Sequence, residues 1–408
     1  MFCTNKRYLK KIVLVTAVLV IILCSAMPVY CQEEEHEGSF PEDYSEEIID
    51  EQMQSDEVGT ITEQLEKYSG EDIYEIIENY DPRTIISDTA KGKFDFSLKG
   101  LVNGVLRYFF KEIIQNIHIM IKLIILAVLC AILKNLQTSF LSESVGEMAF
   151  YACYAIVISV VLVSFNSALK MSVEVIDKMV GFMYATVPAL ITLLVSGGNI
   201  TSGGIFQPAL IMVSEISAIL IKNIFIPLIF LSTVLSIINN ISDKVQISKL
   251  AAFIKQISGW SLGFILTVFV AIVSIQGSLG AVIDGVASKT AKYAIGIAIP
   301  VAGKYLADAA DTVIGCTLLL KNAAGVAAMI GVLAICIGPI LKIAVIVVMY
   351  KLTAALVEPI ADKRISTCVG EVGNAMTFVL GICASVAFMF FVTITAIISA
   401  GNLSAMIR

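Results

Sequence analysis

Histidine and tryptophan are close to absent, at two and one in 408 residues. With only His36 and His118, imidazole-based catalysis or metal binding has almost nothing to work with. Charge is scarce too: 15% of residues are Asp, Glu, Lys or Arg, against about 25% in a soluble domain. Of the nine cysteines only Cys31 and Cys368 clearly fall outside signal or apolar segments, apart from Cys3 at the extreme N-terminus. Neither a disulfide framework nor a zinc spacing follows. These shortages exclude an ordinary soluble enzyme and a disulfide-stapled secreted domain. What is abundant is hydrocarbon, with 57% of residues in the hydrophobic set and a mean hydropathy of +0.87. Runs such as Phe150–Phe165, Trp260–Gln276 and Ala375–Ala400 are nearly free of charge and long enough to cross a bilayer. The composition also excludes a disordered scaffold. The expected fold class is an all-α polytopic membrane protein.

The N-terminus has the basic, apolar, small-residue order of a secretory signal peptide, spanning 1–26. Lys6, Arg7, Lys10 and Lys11 precede Ile12–Leu23, and cleavage after Ala26 fits best. Residues 32–95 then carry 21 acidic side chains against Lys67, Arg83, Lys91 and Lys93, a balance that argues against a nucleic-acid partner. Within it, 27–60 reads as an acidic disordered segment. Residues 61–112 read as an extracytoplasmic helical segment: one helix over Ile61–Tyr80, stopped by Asp81-Pro82, and an amphipathic helix over Leu98–Ile114 that leads to the membrane.

The transmembrane domain is expected over 113–408, with apolar segments near 113–133, 148–168, 179–196, 205–222, 223–239, 260–276, 293–303, 313–338, 343–360 and 374–400. Several are short, so about eight transmembrane helices with one or two broken or re-entrant segments are expected. Residues 240–259 read as an amphipathic helix along the surface. An internal repeat is also suggested, with units 148–259 and 260–376. Pro188 and Pro227 are 39 positions apart, as are Pro300 and Pro339, and Val175-Ile-Asp177 is echoed by Val282-Ile-Asp284. Short apolar segments interrupted by Gly or Pro at matching places point to a pathway near the bilayer midplane. The candidate helix-break or conduit residues are Pro188, Gly197, Gly198, Gly203 and Gly204 in the first unit, and Gly296, Pro300 and Gly303 in the second. Tight helix packing through small residues accounts for the same glycines.

Charges within apolar stretches are candidates for function, because burial of one costs several kcal/mol. Glu215 and Lys321 lie mid-segment, and a pair between them is expected. Lys351 and Glu358 sit seven apart on one helix face. Lys122, Lys222 and Lys342 read as snorkelling to an interface. Enzyme motifs are weak. Gly259-Trp-Ser-Leu-Gly263 matches a nucleophile-elbow string but opens an apolar helix and lacks a histidine partner. Gly303-Lys304 lacks the glycine of a phosphate loop. No catalytic residue, cofactor or metal site is assigned, and the chain is expected not to be an enzyme.

One ordered series remains: Ser274-Ile-Gln-Gly-Ser-Leu-Gly-Ala-Val-Ile-Asp-Gly285, Lys289-Thr-Ala-Lys-Tyr293, Ile299-Pro-Val-Ala-Gly303, Ala310-Asp-Thr-Val313 and Leu320-Lys-Asn-Ala-Ala-Gly325. It continues with Pro339-Ile-Leu-Lys342, Tyr350-Lys-Leu352, Glu358-Pro-Ile360 and Phe390-Phe391, and extends back through Gly203-Gly-Ile-Phe-Gln-Pro208 and Gln246-Ile-Ser248. This series resembles the stage III sporulation protein AE family over most of 180–402. The resemblance implies a multi-pass subunit of the channel or secretion-like complex between mother cell and forespore that endospore development requires. It implies a place in the mother-cell membrane around the forespore, with the N-terminal region outside the cytoplasm after signal cleavage. The implied partners are the other stage III sporulation A-operon proteins, including the AA ATPase, the stage II sporulation protein Q complex from the forespore, and membrane lipid. The residues alone also admit a secondary transporter for a small solute, or a purely structural membrane scaffold.

Overall fold

A long apolar run leaves its backbone N–H and C=O groups without water, and the helix is the local structure that pairs them all within one segment. The computed structural model follows that rule throughout the residues it describes, which are 48–77, 80–94, 97–139, 143–241, 247–298 and 302–407. The signal-peptide reading at 1–26 and the first part of the acidic stretch, up to residue 47, lie outside them. A helical stretch at 48–52 and three short helices come first: α1 (Asp56–Tyr68), α2 (Asp72–Ile76) and α3 (Pro82–Ala90). Long helices follow: α4 (Leu98–Ser139), α5 (Glu143–Ser196), α6 (Ile200–Leu220), α7 (Ile226–Ile241), α8 (Ser248–Ala298), α9 (Ala302–Val357) and α10 (Lys363–Ile407). A π-turn, Ile221–Phe225, joins α6 to α7 without a change of course. Pro227 has no N–H to give the carbonyl of Asn223, and a widened turn just before it absorbs the missing bond.

Among the described residues six helical stretches are long and apolar enough to cross a membrane, within Leu98–Asn135, Met148–Ser196, Ile200–Asn240, Ser248–Thr290, Ala309–Val357 and Lys363–Ser404. The sequence suggested more because several segments fuse. Segments 148–168 and 179–196 are parts of α5, and 313–338 and 343–360 are parts of α9. The chargeable residues between them, Lys170 to Lys178 and Lys342, do not break a helix. Two helices expected at the surface are likewise the leading turns of longer ones. Leu98–Ile114 continues into α4, and the stretch from Ser248 to Gly259 opens α8.

The long helices run alternately up and down. At one end Lys134 of α4 pairs with Asp362 in the α9–α10 turn. Arg364 donates to Tyr151 at 3.4 Å. We call this the basal end. At the apical end α5 turns into α6 at Gly197-Gly198-Asn199, beside the last turns of α10 and the upper part of α9. The core is predominantly apolar, with Phe165, Phe182, Phe269, Tyr350 and Phe390 fully buried.

The acidic N-terminal segment is part of this core. Helix α1 starts at Asp56, inside the stretch read as disordered, and the single helix expected over Ile61–Tyr80 is split at Ser69-Gly70-Glu71. Asp81-Pro82 begins α3 rather than merely ending what precedes it: Pro82 sits in the first turn, and the Asp81 carboxylate accepts from the Arg83 N–H and the Thr84 hydroxyl. The apolar stripe Ile61, Leu65, Ile73, Ile76 and Ile86 is buried against α4, α5 and α9. Leu65 fills the space a side chain at Gly331 would need, and the Ile76 backbone does the same at Gly104 of α4. Tyr68 meets Phe182 edge-on at 6.3 Å, Asp72 pairs with Lys342 at 2.8 Å, and Glu75 pairs with Lys111 at 2.6 Å.

Candidate functional site

The strongest concentration of polar groups inside the bundle is at the apical end, and it starts from the α5–α6 turn. Gly198 adopts φ 81°, a left-handed conformation in which a side chain is strained. The Asn199 amide folds back onto the carbonyls of Leu194 and Gly197 at 3.3 and 3.2 Å, satisfying groups that the end of α5 leaves open. Helix α6 then begins with its N–H groups buried, and a neighbouring rod supplies their acceptor. Asp284 of α8, 2% exposed, takes the N–H of Thr201 at 2.8 Å and that of Ser202 at 2.7 Å. A carboxylate at a helix N-terminus is held by these bonds and by the helix dipole. Close contact makes it reachable, since Gly280, one turn before Asp284, lies directly against Ser202.

On the other side of the turn, Gly197 packs on Leu318 of α9, and Leu318 also touches Gly401 of α10. Three residues on, Lys321 is fully buried. Its ammonium presses on Gly401 and donates to the Ile398 carbonyl at 2.9 Å. Beside it Asn322 donates to Asn402 at 3.1 Å. Among the described residues no carboxylate pairs with Lys321. One neutral carbonyl leaves two of its three donors unanswered. Side-chain oxygens of Asn199, Ser202, Asn322 and Ser404, all near this end, also lack a partner. A half-satisfied polar set in an apolar core costs stability, and such a set is where function is sought first.

The structure thus brings Gly197, Gly198, Gly203 and Lys321 into one neighbourhood, with Gly203 against Val195. Gly204 faces open space. Pro188 is placed differently from the expectation. Helix α5 runs unbroken through it to Ser196, so the break falls at Gly198 and not at the proline. A proline removes one N–H, here the donor to the Tyr184 carbonyl, and a packed bundle tolerates that loss. Gly296 and Gly303 lie in α8 and α9, while Pro300 falls outside the described residues.

Glu215 and Lys321 do not pair. Glu215 sits on an exposed face of α6 in a shallow groove with Tyr184, Val187 and Phe390. Lys321 faces α10. Lys222 and Lys342, read as snorkelling, instead hold Asp177 and Asp72, both at 2.8 Å. Lys351 is half-buried beside Gly373, and Glu358 is exposed just beyond the end of α9. Sequence reasoning missed Asp284 as a cap, having used it only as a repeat marker. The available signal was a carboxylate inside an apolar run, the same signal that singled out Lys321.

The sequence profile of the family described as "Stage III sporulation protein AE" matches residues 80–401. The chain belongs to that family. A relative in Bacillus subtilis (strain 168), also described as "Stage III sporulation protein AE", is 34% identical over 323 residues, which is 79% of this chain and 81% of that protein. No solved structure matches. The family match takes in α3 and the long helices up to residue 401 in α10, and with them Asp284, Lys321 and the Gly198 turn. Helices α1 and α2 precede it.

Proposed function

We propose that this chain is a non-enzymatic, multi-pass core subunit of the mother cell–forespore channel or secretion-like complex needed for endospore development. The observation that carries the proposal is family membership over residues 80–401. In this reading the chain resides in the mother-cell membrane around the forespore, with its N-terminal region outside the cytoplasm after signal cleavage. Its partners are the other A-operon proteins, including the AA ATPase that would supply nucleotide-driven work, and the stage II sporulation protein Q complex. The membrane body would form or gate a conduit, a reading supported by the break at Gly198 and by Lys321, which has no carboxylate partner among the described residues. Deletion of the gene is expected to give cells that engulf the forespore and then stall, with late forespore gene expression lost. Normal spore numbers from a clean deletion contradict the proposal.

A specific observation favours a second reading, a structural scaffold. Several glycines act by close packing, Gly331 on Leu65 and Gly325 on Ile398 among them, and α5 is unbroken at Pro188. Cysteines placed singly through 179–204 separate the two readings. Water-soluble thiol reagents label a conduit wall at the buried positions Asn199 and Ser202 in cells, and leave them untouched in a scaffold.

A further inference from the structure

A transmembrane helix needs about 20 residues to cross the hydrocarbon. Here α4, α5, α8, α9 and α10 have 42, 54, 51, 56 and 45 residues. Each therefore has at least as much helix beyond a bilayer as within one, and hydropathy alone does not say which part is which. The N-terminal helices do. Glu51, Asp56, Glu63, Glu66, Glu71 and Glu75 are exposed on their outer surface. In hydrocarbon each carboxylate would cost about 3 kcal/mol on the insertion scale. Their contacts run along α9 from Lys342, held by Asp72, up to Thr317, which accepts from Gln52 at 3.0 Å. The level of the bundle beside 317–342 is therefore not lipid.

What remains is bounded by charge at both edges. The basal belt is Lys134–Asp362 with Arg364, and the second is Asp72–Lys342, Glu75–Lys111 and Asp177–Lys222. Between the two, Lys255, Glu371 and Lys351 are only partly exposed, gathered where α8, α9 and α10 meet. On α4 the belts are 23 residues apart, from Lys111 to Lys134, or about 34 Å at the helical rise. On α9, from Lys342 to the Asp362 turn, the separation is about 30 Å. The hydrocarbon core of a bilayer is about 30 Å thick. Between the belts Ile121, Ile125 and Leu129 of α4, Val163 of α5, and Trp260 and Phe264 of α8 stand exposed. Lys122, exposed in the same stretch, has a stem long enough to carry its charge toward the headgroups. The basal gathering of Lys134, Lys249, Lys363 and Arg364 marks that end as cytoplasmic by the positive-inside rule.

We propose that the bilayer encircles only the basal half of the bundle, between these two belts, and that the apical half, including 313–338, stands outside the lipid on the side of α1–α3. The hydropathy of 313–338 then has a different cause: Ala323, Ala324, Ala327, Ala328 and Val332 are buried by neighbouring helices. A helix that is apolar all round is a core helix as readily as a membrane one. The inference holds for any complex the chain serves.

The single tryptophan supplies the test. Trp260, 77% exposed, lies between the belts. The full chain is reconstituted in phosphatidylcholine vesicles whose acyl chains are brominated near mid-chain, and emission is compared with that in unbrominated vesicles. Trp260 emission is expected to fall by at least half. In Trp260→Phe/Leu319→Trp and Trp260→Phe/Val282→Trp the tryptophan moves to exposed apical positions on α9 and α8. Brominated lipid is expected to leave these emissions unchanged, and aqueous iodide to quench them. The two sites are on different rods, so poor folding of one variant leaves the other to decide. Brominated-lipid quenching at either apical site, or an unquenched Trp260, overturns the proposal.

Discussion

At the scale of single residues, two positions separate structure from function. Gly198 is held at φ 81°, where a side chain costs about 1–2 kcal/mol. Gly198→Ala is expected to lower the thermal midpoint measurably, while Gly204→Ala, with open space around it, leaves it unchanged. Lys321 is the opposite case. Replacing a buried, half-satisfied charge by an apolar residue of similar volume is often neutral or stabilising. Lys321→Met is therefore expected to retain or raise the thermal midpoint while abolishing spore formation. A variant that sporulates normally would show that the ammonium only fills space. Asp362 makes the pH prediction. Its burial tends to raise the carboxyl pKa from 3.8, but the Lys134 bond, the Arg364 N–H and both positive charges outweigh burial and hold it lower. A folded value below the unfolded one means the stabilisation is complete above about pH 4 and is lost as pH falls through the folded value. The midpoint difference between wild type and Asp362→Asn is expected to shrink on acidification from pH 7 to pH 3. A difference constant across that range contradicts the assignment.

At the scale of elements, the N-terminal helices are fixed by a few close approaches. A side chain at Gly331 would collide with Leu65 and crowd Phe182. Gly331→Val is expected to detach α1 from α5 and α9, and limited proteolysis should then cleave between Tyr68 and Pro82, where wild type resists. How much of this was legible in sequence depends on range. Helical character, the apolar runs and the Asp81-Pro82 boundary follow from local chemistry, so all were readable. The fusion of 148–168 with 179–196 was not. Lys170, Glu174, Asp177 and Lys178 look like a break in hydropathy, yet backbone geometry does not respond to side-chain charge, and Lys222 comes from 45 positions away to pair with Asp177. The Gly198 turn was readable as a glycine pair but was masked by Pro188, which has the stronger local effect and the weaker tertiary one. Pairings such as Asp72–Lys342 and Asp284 with Ser202 join residues 270 and 82 positions apart. No local pattern specifies them.

At the scale of the whole molecule, the bundle divides into a basal half suited to lipid and an apical half walled on one side by α1–α3. On the far side of the apical half Met212, Ile216 and Ile219 of α6, with Leu279, Val282 and Val286 of α8, are exposed. If lipid stops at the second charged belt, only protein can cover that surface, and a subunit of a larger complex meets that condition. The central claim, that this family member works as one component of a sporulation assembly, is tested most directly by isolating the affinity-tagged chain from detergent-solubilised membranes of sporulating cells. The account predicts that the other A-operon proteins are recovered with it, and that a variant charged on the α6–α8 face, Val282→Glu, is recovered folded and without them. Wild-type chain that purifies alone from cells making all its partners would contradict the account.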